Sequence, residues 1–191
     1  MAQWSAKWIS YAYDPRQDVG VFAFRRRLRL DSVPPKLDVR VSADQRYKLF
    51  VNGQLVEFGP QRGDALHWFY ETIDLAPHLR AGDNWISALV WNFGWMAPMA
   101  QCTVRSGFLF EPLDADQKDL ATPHGWEVGL LKNWGFDMMH AGKGGYYIDV
   151  GPGELIDFRG APWGWRVGEE PPGSVQWREP HVVYQAEDRG S

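Results

Sequence analysis

Hydrophobic and polar residues alternate with a period of two along most of the chain, which is the pattern of half-buried β-strands. Across residues 22–30, phenylalanines and leucines alternate with Ala23 and three arginines, which predicts a strand with a basic, solvated outer face. Arg26 falls on the apolar side of this strand, so we expect it to need a carboxylate or carbonyl partner. Residues 37–41 and 68–73 alternate in the same way and predict two further strands.

A β-hairpin is predicted around Asn52-Gly53, because a type I′ turn needs positive φ at both central residues and these residue types adopt it readily. A two-residue loop then fixes the pairing of the flanking strands. The predicted pairs are Val51 with Gln54, Phe50 with Leu55, Leu49 with Val56, Lys48 with Glu57 and Tyr47 with Phe58. In this register one face stacks Tyr47 and Phe58 beside two aliphatic residues, and the other face carries an opposite-charge pair.

The segment 85–91 is apolar on both faces, which predicts a central strand whose outer face is covered or used. Ahead of it, Pro77 suits the first position of a single helical turn, and Gly82 can supply the left-handed residue that ends this turn. Further strands are predicted at residues 107–110, 126–131, 146–150, 154–158 and 181–184, with a loop at 114–125. Many short strands at close spacing predict an all-β antiparallel sandwich or jelly roll with little helix.

Composition limits the classes of protein to consider. A chain of 191 residues can bury one substantial core, so a single domain over residues 1–191 is expected. Its 11 tryptophans, 20 glycines and 13 prolines indicate short strands joined by turns, with aromatic surface available for stacking. A formal net charge of -4 provides no basic surface for nucleic acid. Cys102 is the only cysteine, which excludes an internal disulfide and a cysteine-based zinc site.

No targeting or membrane segment is evident in the sequence. The first residues lack the basic segment and apolar run of a signal peptide, and no stretch approaches the roughly 20 apolar residues of a membrane span. We therefore expect a soluble chain with no membrane partner. The cellular compartment stays open between the cytoplasm and, for a longer precursor, the periplasm.

The segments RYKLFVNGQLV, GPQRGD, YETIDLAPHLRAGDN and ALVWNFG, in that order, resemble the N-terminal β-sandwich domain of bacterial α-L-rhamnosidases, a galactose-binding-like jelly roll. The resemblance is best over about residues 8–110, and PWGW at 162–165 resembles a segment upstream of the catalytic region of that family. Residues 111–185 would be further strands and loops of the same domain, or a small second β unit.

This resemblance implies that the parent protein is a glycoside hydrolase whose catalytic acids lie in a separate, downstream helical barrel. The chain would then be an accessory, non-catalytic carbohydrate-binding-like domain with no cofactor, which binds sugar weakly or supports the catalytic domain. Its candidate partners are carbohydrates, rhamnose-containing glycans among them, and that catalytic domain. Two alternatives stay open: a free-standing lectin-like protein and a small enzyme of unrecognised type. Glycoside hydrolysis needs two carboxylates roughly 5 to 9.5 Å apart, and the sequence does not indicate which carboxylates converge.

Sugar binding requires an aromatic platform for the apolar face of the ring and planar polar groups for its hydroxyls. Residues of these types near the ends of the best-matched strands are Asp44, Gln45, Arg62, Asp64, Trp91, Asn92 and Trp95. In the alternative interpretation, Trp91 and Trp95 pack against a catalytic domain, and Arg62 and Asp64 form an internal ion pair.

Some jelly-roll sugar modules hold calcium through loop oxygens. The residues that could contribute such oxygens are Asp44, Asp83, Asn84 and Asn92. No run of alternating acidic ligands accompanies them, and the five histidines show no short metal-ligand spacing, so the sequence supports calcium only weakly.

Overall fold

A computed structural model describes residues 4–12, 19–137 and 151–186. The predicted all-β architecture is confirmed, because two antiparallel sheets pack against each other with little helix. The strands are β1 (Lys7–Ser10), β2 (Gly20–Leu30), β3 (Asp38–Asp44), β4 (Arg46–Val51), β5 (Gln54–Gly59), β6 (Glu71–Asp74), β7 (Gly82–Asn92), β8 (Gly107–Pro112), β9 (Glu127–Leu130), β10 (Trp134–Asp137), β11 (Gly153–Ile156) and β12 (His181–Gln185). Short 3₁₀ helices span Ala76–His78, Gly94–Met96, Ala115–Leu120, Phe158–Gly160 and Trp165–Val167.

The strands form two five-stranded sheets and one small ribbon. The first sheet has the order β12-β1-β8-β3-β6, and the second has the order β5-β4-β7-β2-β9. Within the described residues, β10 and β11 pair only with each other. β7 lies in the middle of the second sheet, as its two apolar faces predicted.

The main core lies between the two sheets and is built from the alternating apolar positions. Phe24 and Tyr47 of the second sheet contact Phe108 of the first, with ring centroids 5.1 Å and 6.5 Å apart. Trp126 packs its ring 5.3 Å from the same phenylalanine, and its indole N–H donates to the carbonyl of Leu120. The indole is thus buried with its polar atom satisfied.

The outer face of the second sheet is covered, which confirms one of the two outcomes expected for β7. Val21 and Leu89 pack there against Leu131, Trp165 and Val175. This covering layer comes from the C-terminal third of the chain, and it forms the wall of a groove described below.

The hairpin turn is confirmed, with φ of 51° at Asn52 and 81° at Gly53, but the predicted register is wrong beyond the second pair. Val51 still faces Gln54 and Phe50 still faces Leu55, and a bulge follows. The observed later pairs are Leu49 with Glu57, Lys48 with Phe58 and Tyr47 with Gly59. A bulge inserts one extra residue on one strand, so Phe58 moves to the outer face and is 69% exposed.

The arginines of β2 differ in burial, contrary to the prediction of one solvated row. The Arg25 side chain is only 11% exposed and donates to Glu127 at 2.9 Å and to Glu170 at 2.6 Å. Its guanidinium lies 3.7 Å from the ring centroid of Trp177, whereas Arg27 is 60% exposed. Arg25 therefore ties the covering layer to the sheet through charge and stacking.

Arg26 turns to the apolar side of β2, and the expectation of a carboxylate partner is confirmed. Its Nη2 atom lies 3.5 Å from a carboxylate oxygen of Asp119. Burial lowers the pKa of Arg26, and the charge of Asp119 opposes this shift.

Several predicted boundaries are wrong. β6 begins at Glu71 and not at residue 68, and just before it the hydroxyl of Ser42 donates to the carbonyl of Phe69. β11 ends at Ile156, and the loop predicted at 114–125 contains a 3₁₀ helix. The strand predicted at 146–150 lies outside the described residues. No helix within the described ranges is long and apolar enough to cross a membrane.

Candidate functional site

A buried carboxylate organises the loop that follows β7. Asp44, the last residue of β3, is 1% exposed and accepts hydrogen bonds from the backbone amides of Val104 and Arg105 at 2.6 Å and 2.8 Å. The hydroxyl of Thr103 donates to it at 2.7 Å, and the side-chain amide of Asn92 donates at 3.1 Å. The carboxylate thus fixes the end of the loop at residues 93–105 to the ends of β3 and β7.

Burial raises the pKa of Asp44 to about 6 from its ordinary value of 3.8. The four donors act in the opposite direction, because they favour the charged form, but the loss of water is the larger effect. Asp44 is therefore ionised at neutral pH and becomes protonated in mildly acidic solution.

The start of the same loop is held by two buried amides. The side-chain oxygen of Gln45 accepts from the backbone amide of Phe93 at 2.8 Å, and that of Asn92 accepts from Gly94 at 2.6 Å. Both side chains are fully buried. Three of the predicted sugar-binding residues, Asp44 among them, are thus brought together, but they point to the backbone of the loop and not to solvent.

The two predicted tryptophans occupy different environments. Trp95 lies on the 3₁₀ helix Gly94–Met96 and is 68% exposed. Trp91 is half-buried on the outer face of the second sheet, with the ammonium of Lys48 5.7 Å from its ring centroid. Trp95 is therefore the residue of this pair that is available as an aromatic platform.

Arg62 and Asp64 do not pair as the alternative interpretation expected. The Asp64 carboxylate instead contacts the ring of His67 at 2.9 Å and accepts from the amide of Leu66 at 2.8 Å. These hydrogen bonds lower the pKa of Asp64, and the bond to the His67 side chain has the largest effect. Arg62 lies close enough to Arg46 that its charge adds to the effect of burial in lowering the pKa of Arg46.

Arg46 is bonded to the loop at residues 93–105. Its Nε atom donates to the side-chain oxygen of Gln101 at 2.9 Å. We give the name loop rim to four residues that lie on this loop or near it, namely Arg46, Arg62, Trp95 and Gln101. It combines an exposed indole on the anchored loop with planar cationic and amide groups, which are the groups that sugar binding requires.

The residues predicted as calcium ligands lie at opposite ends of β7. Asp44 and Asn92 bond to each other at one end, while Asp83 pairs with Arg27 at the other end. Asn84 is fully buried and bonds to Asn52 and to the backbone. Among the described residues, no group of three or more histidine, cysteine, aspartate or glutamate side chains could hold a metal ion.

A second concave surface was not predicted from the sequence. A groove of about 330 Å³ opens between the hairpin turn at Gly53, the ribbon residues Trp134 and Ile156, and the segment 158–167. At its mouth the rings of Phe158 and Trp163 stack with an interplanar angle of 4°. The PWGW motif was the one signal in the sequence that could have indicated this surface.

The fold has known counterparts. A GH78 family rhamnosidase of Bacillus sp. GL1 matches 97% of this chain with a TM-score of 0.79 and 26% sequence identity. The chain has the fold of a domain of α-L-rhamnosidases. This fold also matches α-L-rhamnosidases of Aspergillus terreus (97% of this chain, TM-score 0.63, 19% identity) and Dictyoglumus thermophilum (95%, 0.62, 16%).

The chain spans about a fifth of the length of these rhamnosidases, at 19%, 22% and 22%. Such a match is consistent with the N-terminal domain that the sequence resemblance predicted. No protein-family profile matches the chain, and no curated protein matches it by sequence.

Proposed function

We propose that this chain is an accessory, non-catalytic carbohydrate-binding-like domain of an α-L-rhamnosidase-type glycoside hydrolase. The observation that carries the proposal is the match of 97% of this chain to 19% of the Bacillus sp. GL1 rhamnosidase, at a TM-score of 0.79. A fold alone does not specify a function, so the proposal also depends on the chemistry of the surface.

Within this proposal, the loop rim contacts the sugar. Trp95 offers an exposed ring face for stacking, and Arg62 offers planar donors for hydroxyl groups. The buried residues Asp44, Gln45 and Asn92 are positioning residues, since their bonds hold the loop that carries the indole. Preorganisation of this kind reduces the entropic cost of binding.

The remaining candidates have supporting roles in this proposal. Asp64 shapes the segment that carries Arg62 through its bonds to residues 66 and 67. Trp91 lies on the outer face of β7, beside the loop rim and below the covering layer. We infer that it supports the sheet under the loop.

Support of a catalytic domain is the second role that we propose. Met99 of the anchored loop is 62% exposed, Val104 is 47% exposed, and Trp95 is exposed beside them. Exposed apolar side chains clustered on one loop are typical of contact surfaces. In the parent enzyme, this loop would pack against the neighbouring domain.

Titration calorimetry with methyl α-L-rhamnoside tests the sugar-binding role, with a galactoside as the comparison ligand. We expect saturable binding in the millimolar range, because a single exposed platform with few polar partners supports weak affinity. Trp95→Ala should weaken binding at the loop rim, and Met99→Ala on the same loop is the matched control. Absence of heat with either sugar would contradict this role, while preference for the galactoside would favour a lectin-like protein.

An aryl α-L-rhamnoside assay tests the non-catalytic assignment. We expect no turnover by the homogeneous chain. Turnover that falls when a single carboxylate is substituted would contradict the proposal and favour a small enzyme.

A further inference from the structure

We propose that the groove below Phe158 and Trp163 is a second carbohydrate site, which takes one 6-deoxyhexopyranose unit. This inference rests on the proposed carbohydrate-binding function, but it concerns a different surface from the loop rim. The groove has a volume of about 330 Å³, which lies within the roughly 300–1,000 Å³ typical of small-molecule sites. Every residue that lines it belongs to the described part of the chain.

A pair of stacked aromatic rings, which we name the platform, lies at the mouth of the groove. The ring centroids of Phe158 and Trp163 lie 5.8 Å apart with nearly parallel planes, so the rings stack on each other and each offers its outer face to a ligand. Each side chain is 61% exposed, and neither belongs to a core cluster. The fold therefore does not need these rings in its core, whereas stacking on the apolar face of a sugar does need exposed rings.

The backbone below the platform is held in place before any ligand binds. The Asp157 carboxylate caps the 3₁₀ helix Phe158–Gly160 by accepting from the amide of Arg159 at 3.0 Å. Gly164 has a φ of 84°, and a Cβ atom at this position would lie 2.8 Å from the backbone of Glu169. Only glycine fits this turn, which directly follows Trp163 in the chain.

Few polar side chains line the groove, apart from the indoles. Arg166 and Asn133 are the other polar side chains in the described lining, which is otherwise aliphatic, aromatic, proline or glycine. The guanidinium of Arg166 lies 4.2 Å from the ring centroid of Phe50, and its Nε atom is buried without a hydrogen-bond partner among the described residues. Because Arg166 lines the groove, its guanidinium is the cationic donor group of the described lining for a ligand oxygen.

The small number of polar side chains in the groove determines the class of sugar that we propose. A hydroxyl group that is buried without a partner weakens binding by a factor of roughly ten. A hexose whose C6 carries a methyl group in place of a hydroxymethyl group loses one such hydroxyl and gains an apolar contact. L-Rhamnose and L-mannose differ only in this group, so they form a matched pair of probes.

The two surfaces can be distinguished by the indole N–H signals of the full chain in ¹⁵N NMR spectra. Trp163→Phe and Trp95→Phe assign the signal of each indole. We expect L-rhamnose to shift the Trp163 signal in a saturable manner, and L-mannose to require roughly tenfold higher concentration. Trp163→Ala should abolish saturable shifts of the Trp165 and Trp134 signals, whereas Trp95→Ala should leave them unchanged.

A conservative variant separates ligand binding from folding. Trp163→Phe keeps a ring on the platform and should retain most of the affinity, and unchanged signals from the core tryptophan Trp126 report an intact fold. Shifts confined to Trp95 would overturn the groove site and leave the proposed function standing. No saturable shift at either indole would overturn both, and equal affinity for L-mannose would overturn the 6-deoxy preference.

Discussion

At the scale of single residues, Asp44 determines how the loop at residues 93–105 is held. Its carboxylate accepts hydrogen bonds from two backbone amides, one hydroxyl and one side-chain amide. These donors favour the charged form, whereas burial favours the neutral form and has the larger effect, since the pKa is raised to about 6. The loop rim is therefore anchored by a group that titrates in mildly acidic solution.

We expect this group to make the folded chain less stable as the pH rises from about 4 to about 6. The folded pKa of about 6 exceeds the ordinary 3.8, so the folded chain binds more protons than the unfolded chain in this window. The contribution of Asp44 to the free energy of unfolding is fully present below the unfolded pKa and is lost as the pH rises through the folded pKa. Its magnitude is on the order of 3 kcal/mol. Urea unfolding at several pH values measures it.

Asp44→Asn removes the titrating group, so the free energy of unfolding of the variant should depend less on pH than that of the parent. Asp116→Asn, at an exposed position of the Ala115–Leu120 helix, is the matched control and should keep the profile of the parent. Parallel profiles for the Asp44 variant and the parent would show that Asp44 titrates with its ordinary pKa.

Residue type identified Asp44, Gln45 and Asn92 as candidates, but the sequence could not indicate that they face inward. Three of the four partners of Asp44 lie 59 to 61 positions away in the chain, on a loop without a periodic pattern, and Asn92 lies 48 positions away. The position of Arg26 was easier to predict, because an alternating strand fixes the side to which each residue points.

At the scale of elements, the strand pairing in the hairpin of β4 and β5 has two causes. The turn sequence determines the pairs next to the turn, and side-chain packing determines the pairs beyond them. The Asn52-Gly53 turn fixes the first two pairs, and the bulge then shifts Tyr47 opposite Gly59. A Cβ atom at Gly59 would lie 3.1 Å from a ring carbon of Tyr47 and 3.0 Å from the Glu71 side chain. A side chain at this position would therefore crowd the fully buried Tyr47 ring, which alternation alone did not reveal.

Gly59→Ala should lower the free energy of unfolding by about 1–3 kcal/mol, because the new methyl group overpacks the space beside Tyr47. Gly135→Ala is the matched control, since Gly135 also lies in a strand and a Cβ atom there meets nothing within 4 Å. Chemical denaturation of the two variants measures the difference. An equal effect of both substitutions would contradict the role assigned to the ring contact.

At the scale of the whole molecule, the C-terminal part of the chain completes both large sheets. β9 pairs with β2 at one edge of the second sheet, and β12 pairs with β1 at one edge of the first. Most strands of the two large sheets were predictable from periodicity, and the resemblance predicted the sandwich. β1 and β10 were not predicted. The strand order and the groove were not predictable, because each depends on segments far apart in the chain.

We propose, from these edge pairings, that the chain unfolds as one cooperative domain. Scanning calorimetry should give a single transition whose calorimetric and van't Hoff enthalpies agree. Two separated transitions would instead indicate that residues 111–185 form a second β unit.

Both proposed sites depend on carbohydrate binding by this domain, and titration of the full chain with methyl α-L-rhamnoside, followed by its indole N–H signals, measures that binding. We expect saturable shifts in the millimolar range that are weaker or absent with a galactoside. Spectra that stay unchanged at saturating concentrations of the rhamnoside would contradict the proposed binding.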